Sequence, residues 1–170
     1  LTLSAAHIIG GEITYECLGD GASPNTRQYQ FIMTIYRDCA GGGADFDSGP
    51  LGAFDATVTI YKESSTIPIE NLVLDAPTVT GIDPNSGNPC LIVPPDICVQ
   101  EGIYVFPVLE LPILDESYHV AYQRCCRNNT ITNIYSPDDR VQDFWIGFQG
   151  WSRSGGRRVG PFPDLGDWHN

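Results

Sequence analysis

Residues 27–39, RQYQFIMTIYRDC, alternate between apolar and polar side chains. A period of two residues is that of a β-strand, in which successive side chains point to opposite faces. One face of this segment is predicted to be buried, and it carries Tyr29, Phe31, Met33, Ile35 and Cys39. The polar side chains lie mostly on the opposite face. The pattern predicts a central strand with one side buried, and a strand of this kind requires a sheet around it.

Shorter segments with the same alternation recur along the chain, separated by turn-forming residues. No segment carries the 3.6-residue apolar period of a helix. We expect strands at residues 7–19, where Gly10 and Gly11 permit a bend, and at 56–63, 69–74, 77–82, 102–111, 117–127 and 143–151. The predicted fold is all-β, an Ig-like β-sandwich of about seven strands closed by disulfides.

The composition changes after Ser136, beyond which all three tryptophans lie. We therefore expect a β-sandwich domain at residues 7–136, followed at 137–170 by a C-terminal strand and an irregular arm. Residues 1–6 read as the remnant of a signal peptide or as an N-terminal arm. Both arms are predicted to be ordered.

The formal net charge of −12 disfavours nucleic acid as a partner, because phosphate binding needs concentrated positive charge. No apolar run approaches the about 18 residues of a membrane span. Six cysteines without a CxxC pair favour disulfides in an extracellular or other oxidising compartment over a metal site.

Cys125 and Cys126 are adjacent, so on a strand their side chains point to opposite faces and need separate partners. Cys126 shares the parity of an apolar face, as Cys39 does on its own strand, and Cys90 and Cys98 flank a proline-containing turn. Six cysteines allow many connectivities. The set predicted here is Cys39–Cys126, Cys90–Cys98 and, by elimination, Cys17–Cys125.

Arg124 and Arg127 flank the adjacent cysteines in a chain with few cations. Ion pairs with acidic loops are the more frequent use of such arginines. The alternative is an exposed guanidinium that docks a partner's carboxylate.

Two acidic loops resemble calcium-binding loops. The candidate ligands are Asp45 and Asp47 in ADFDSG, and Asp83 and Asn85 in GIDPNSGN. Alternating oxygen ligands with a glycine are typical of calcium loops, but neither loop has the terminal bidentate glutamate. The same residues are also ordinary turn formers. Calcium is therefore the one cofactor that the sequence suggests, and otherwise we expect none.

No nucleophile, metalloprotease or nucleotide-binding motif occurs, and the three histidines are scattered, so we expect no enzyme activity. Aromatic residues near the C-terminus suit either packing against a neighbour or a platform for sugars. The residues predicted to form an interface are Leu1, Leu3, Ile8, Ile9, Trp145, Trp151 and Trp168.

Four segments, HIIGGEITYECLG, YRDCAGGGADFDS, PCLIVPPDICVQEGIY and YHVAYQRCCRNNTITNI, resemble a domain at the N-terminus of large secreted surface proteins of Bacteroidetes. These proteins are described as gliding-motility-associated or adhesin-like and are exported by the type IX system. The resemblance covers about residues 7–136. It implies an extracellular, β-rich, non-catalytic surface module, and it supplies no active site.

Two functions follow as expectations. The first is a structural or adhesive surface module that assembles with neighbouring copies or domains into a filament or adhesin by β-strand addition. The alternative is a module of a secreted surface protein that binds carbohydrate or another ligand.

Overall fold

A computed structural model describes residues 8–40, 45–48, 55–83, 97–125, 132–133, 135–136 and 141–149. Nine strands occur in these ranges, all paired antiparallel in two sheets, so the all-β prediction is confirmed. Sheet A has the order β1-β2-β6-β5, and β7 also pairs with β2. Its strands are β1 (Ile8–Asp20), β2 (Thr26–Asp38), β5 (Thr78–Ile82), β6 (Val99–Val105) and β7 (Leu109–Pro112).

Sheet B has the order β4-β3-β8-β9. Its strands are β3 (Ala56–Lys62), β4 (Glu70–Leu74), β8 (Ser117–Cys125) and β9 (Val141–Gln149). The two sheets share one buried core, as in a sandwich. The described ranges contain no helix that could serve as a membrane span.

The strand predicted from alternation is β2, which lies inside sheet A between β1 and the pair β6 and β7. Strands β6 and β7 lie along the same side of β2, with Val105 opposite Ile32 and Leu109 opposite Tyr29. Pro107 lies between them, and proline cannot donate to a ladder. The single strand expected at 102–111 is therefore two strands, while the Ig-like type of the sandwich stays a prediction.

Strand β9 belongs to sheet B and is the C-terminal strand that the sequence predicted within residues 137–170. It pairs residue by residue with β8, from Ser117 opposite Gln149 to Cys125 opposite Val141. In the described residues the sheet thus continues through Gln149, and the division of the chain at residue 136 stays a prediction. The apolar alternation of 143–151 follows from this pairing, because Phe144, Ile146 and Phe148 face the core.

Phe148 joins the two sheets near the middle of the core. Its ring centroid lies 5.3 Å from that of Phe31 and 5.1 Å from that of Tyr29, both on β2. On its own sheet it stacks on Tyr118 at 5.5 Å. Such aromatic pairs add roughly 0.5–1.5 kcal/mol beyond the burial of their area. The other fully buried side chains include Met33, Ile35, Val58, Ile60, Leu74, Tyr104, Val120 and Tyr122.

Two glycines allow close approach between core elements. A Cβ at Gly11 would lie 2.9 Å from both the backbone oxygen of Thr34 and the Phe144 ring. At Gly102, a Cβ would lie 2.7 Å from the ring of Phe46. Any larger residue at either position would push a neighbour away. The bend expected at Gly10 and Gly11 is present as a register shift between Ile8 and Gly10.

The turn between β1 and β2 is held by a carboxylate from β7. Glu110 accepts hydrogen bonds from the backbone nitrogens of Ala22 at 3.0 Å and Ser23 at 2.8 Å, and from the Thr26 hydroxyl at 2.7 Å. The bond from Thr26, followed by those from the backbone, lowers the pKa of Glu110 from 4.5 to about 2. The folded state thus favours the charged form of the Glu110 carboxylate.

We predict that Glu110→Gln lowers the midpoint of thermal unfolding at neutral pH and also flattens the acid side of the stability curve. A carboxylate with a depressed pKa contributes stability above pH 4.5, and that stability is lost as the pH falls towards about 2. Thermal unfolding followed by circular dichroism across this pH range measures both effects. Glu16→Gln, at an exposed position on β1, is the control and should change neither.

Candidate functional site

One disulfide closes the end of sheet A where β2 finishes and β6 begins. Cys39 is bonded to Cys98, with their Cα atoms 5.0 Å apart, and the Cys39 nitrogen donates to the Cys98 oxygen at 2.9 Å. The two residues continue the register that sets Asp38 opposite Val99. The predicted pairings Cys39–Cys126 and Cys90–Cys98 are therefore wrong. Cys90 and Cys126 themselves lie outside the described residues.

Cys17 is a free, exposed cysteine on β1, so the predicted Cys17–Cys125 pairing is also wrong. The ring of Tyr15 lies 4.8 Å from that of Phe148, which is opposite Tyr118 at the start of β8. Cys125 is at the other end of β8. Cys17, two residues from Tyr15 on β1, therefore lies near the start of β8. At about 3.3 Å per residue, the start of β8 and Cys125 are roughly 23 Å apart, well beyond the reach of a disulfide.

The short irregular segment Asp45–Ser48 places a buried carboxylate between the sheets. Asp47 is 5% exposed. Its Oδ2 accepts from the Tyr122 hydroxyl on β8, and its backbone oxygen accepts from the Tyr104 hydroxyl on β6 at 2.7 Å. Its Oδ1 lies 3.3 Å from Nη2 of Arg124, also on β8. We call these four residues the Asp47 cluster, and it joins sheet A to sheet B.

Asp45 and Phe46 complete the attachment of this segment. Phe46 is buried against Gly102, and the guanidinium of Arg37 lies 5.0 Å from the centre of its ring. Nη1 of Arg37 donates to Oδ1 of Asp45 at 2.8 Å. Arg124 donates from Nη2 to the backbone oxygen of Asp45 at 2.7 Å. Two arginines from different sheets therefore bind the same segment.

The carboxylates of Asp45 and Asp47, predicted as calcium ligands, are thus engaged by guanidinium groups. Asp83 is exposed just after β5, and Asn85 lies outside the described residues. Across the described ranges, no group of three or more His, Cys, Asp or Glu residues is arranged to hold a metal. Ion pairing is the observed role of the ADFDSG loop, as the sequence predicted for Arg124. Arg127 is not among the described residues.

Burial fixes the tyrosines of the Asp47 cluster as hydrogen-bond donors. It raises the pKa of the Tyr122 hydroxyl well above its usual range, and the hydrogen bond to Asp47 raises it further. Burial, followed by the charge of Asp47, raises the pKa of Tyr104 in the same way. Both hydroxyls stay protonated at neutral pH. The cluster is suited to holding the sheets together, and it presents no activated nucleophile.

We predict that Asp47→Ala lowers the free energy of unfolding by about 3 kcal/mol or more, because it leaves the buried charge of Arg124 uncompensated. Arg124→Ala should be comparably destabilising. The double variant should cost about 1–3 kcal/mol less than the sum of the two single changes. Urea unfolding of the four proteins measures this coupling.

The control is Asp20→Ala, which removes an ion pair of similar length at the surface. Asp20 lies 3.2 Å from Arg27 and its side chain is 84% exposed. Exposed pairs contribute less than about 1 kcal/mol. Equal losses for Asp47→Ala and Asp20→Ala would contradict the role given to the cluster.

Strand β1 is the edge of sheet A, and its free side can be located from the hydrogen bonds of β2. Phe31 accepts from the Phe106 nitrogen, so its backbone groups face away from β1. In an antiparallel strand successive residues face alternate sides, so Ile32 faces β1, where it is opposite Thr14. The backbone groups of Ile13 and Tyr15 therefore point outward, and within the described residues β1 pairs only with β2.

The residues predicted to form an interface divide into three groups. Ile8 is 8% exposed and belongs to the core. Ile9 is exposed at the register shift of β1, and Trp145 is exposed on β9. The remaining four, Leu1, Leu3, Trp151 and Trp168, lie outside the described residues.

Trp145 lies on the outer face of sheet B, beside an open groove of about 800 Å³. Its ring centroid is 5.7 Å from that of His119 on β8. Polar side chains from β3, β8 and β9, including Tyr61, Gln123 and Asp143, line the same groove. Of the residues that line this groove, only Trp145 was predicted from the sequence as a contact residue. The signal for the others is the alternation of β8, which turns His119, Ala121 and Gln123 outward.

The sequence analysis also did not identify the hydroxyl groups of Tyr104 and Tyr122 as hydrogen-bond donors to Asp47. Both residues fall on apolar faces by parity, and buried tyrosines usually find a hydrogen-bond partner.

Comparison with models of protein families, with curated proteins and with solved structures found no match.

Proposed function

We propose that this chain is an extracellular structural surface module that assembles with neighbouring copies or domains by adding a strand to β1. The observation that carries the proposal is the outer edge of β1, which among the described strands pairs only with β2. An unpaired edge presents a row of backbone donors and acceptors that can bind a further strand. The chain has no catalytic role in this proposal.

The length and composition of β1 favour it over the other edges. It has 13 residues, whereas β4 and β5 have five each and β9 has nine. Natural proteins blunt edges with proline, with lysine or by making them short. Strand β1 contains no proline or lysine, its register shifts lie near its two ends, and between them its pairing with β2 is regular from Gly10 to Cys17. Its exposed side chains include Ile9, Tyr15 and Leu18.

An extracellular location is supported by the Cys39–Cys98 disulfide, since such bonds persist in oxidising compartments. The family resemblance of residues 7–136 implies the same location and an adhesive or motility-associated surface protein. Strand addition joins pilin subunits by donor-strand complementation, and it would extend this module into a filament or adhesin in the same way.

We predict that Thr14→Lys prevents assembly. Thr14 lies on the outer face of β1, and a lysine there places a charged side chain next to an incoming strand, which is a device by which natural proteins protect sheet edges. The matched control is Thr80→Lys, at an exposed outer-face position of β5, the opposite edge of sheet A. Sedimentation velocity over a concentration series should show assembly for the wild type and the control, and a monomer for Thr14→Lys.

A wild type that stays monomeric at every concentration would contradict the proposal. So would assembly that is lost in Thr80→Lys and kept in Thr14→Lys, because it would place the contact on β5.

A further inference from the structure

We propose that the groove on the outer face of sheet B binds an uncharged saccharide chain, with Trp145 as its aromatic platform. The groove lies on a different sheet from the β1 edge. The inference is therefore independent of assembly through that edge.

The floor of the groove is built from small residues between larger ones. Strand register sets Ala121 opposite both Thr59 and Trp145, and Gly147 opposite His119. A Cβ at Gly147 would lie 3.5 Å from the Trp145 ring and 3.4 Å from His119, so the indole lies over this glycine. The sequence thus leaves a depression along the sheet beside an aromatic ring.

Trp145 presents a broad apolar surface at the edge of this depression. It is 38% exposed, although its ring leans on His119. The face of an aromatic ring carries partial negative charge. The C–H groups on one face of a pyranose carry partial positive charge and form a flat apolar patch, so the two surfaces are complementary.

Hydrogen-bond donors and acceptors line the groove at both of its ends. Gln123 and Asp143 are opposite each other at one end of the groove. Tyr61 and Lys62, with Ser64 in the turn after β3, line the other end. Saccharide hydroxyls both donate and accept, so a mixed set of hydroxyl, amide, ammonium and carboxylate groups suits them.

The charge and shape of the groove select the ligand class. Asp143 and Glu63 line it, and the whole chain has a net charge of −12, which disfavours anionic polymers. Its volume of about 800 Å³ is within the usual range for ligand sites. The groove is open, and its lining combines a largely apolar surface with polar groups. A pyranose chain, which has apolar C–H faces and hydroxyl groups at its edges, matches that mixed surface.

The test is a titration followed by amide chemical shifts in NMR spectra, with cellohexaose, mannohexaose, laminarihexaose and maltohexaose as probes and an alginate hexamer as the anionic contrast. At least one neutral hexaose should shift the amides of His119, Ala121, Gln123 and Trp145, while alginate binds more weakly. Trp145→Ala should weaken binding about tenfold or more, as loss of an aromatic anchor does.

Ala121→Arg fills the floor without removing any contact, and it should also abolish binding. The matched control is Ile32→Ala, which removes a side chain of equal exposure, 38%, from the outer face of sheet A and should leave binding unchanged. The amide spectrum of each variant reports whether it is folded.

The proposal is overturned if none of the neutral probes shifts the spectrum at millimolar concentration. Binding that persists in folded Trp145→Ala and Ala121→Arg, or shifts confined to sheet A, would overturn it equally. None of these outcomes bears on Thr14→Lys, so failure here and failure of assembly are distinguishable.

Discussion

The buried ion pair between Asp47 and Arg124 is the constraint on which the arrangement of the two sheets depends. Both charges are removed from water, and removing ions from water costs several kcal/mol unless their polar atoms are satisfied. The Tyr122 hydroxyl supplies part of that compensation by donating to Oδ2 of Asp47, while the Tyr104 hydroxyl, from the other sheet, donates to the backbone oxygen of Asp47. The irregular segment at Asp45–Ser48 is therefore held in place by specific contacts, and the sheets are joined at this end of the sandwich.

The same end of the molecule also contains the Cys39–Cys98 bond and the contact between Arg37 and Asp45. Concentrating the cross-links there leaves two other surfaces available for contacts with other molecules. One is the outward backbone edge of β1, which suits a further strand. The other is the outer face of sheet B around Trp145, which suits a saccharide. A surface module with both would assemble through one sheet and bind through the other.

Local alternation predicted the strands well because each strand buries one face, as in β2. It could not predict register, and the cysteine pairing depends on register. Cys39 and Cys98 are directly opposite only because β2 and β6 are neighbours in a particular alignment. The engagement of Asp47 could not be predicted for a related reason, since its partner is Arg124, far along the chain. The pairing of Arg124 with an acidic loop was predictable from the shortage of cations.

Amide hydrogen exchange resolved by residue shows whether β1 is the edge to which a neighbour adds a strand. In dilute monomer, Ile13 and Tyr15 should exchange rapidly, while Glu12 and Thr14, which face β2, are protected. In the assembled state, Ile13 and Tyr15 should become protected as well. If these two amides still exchange rapidly in a sample shown to be assembled, or are protected equally in dilute monomer, β1 is not the edge to which a neighbour adds a strand.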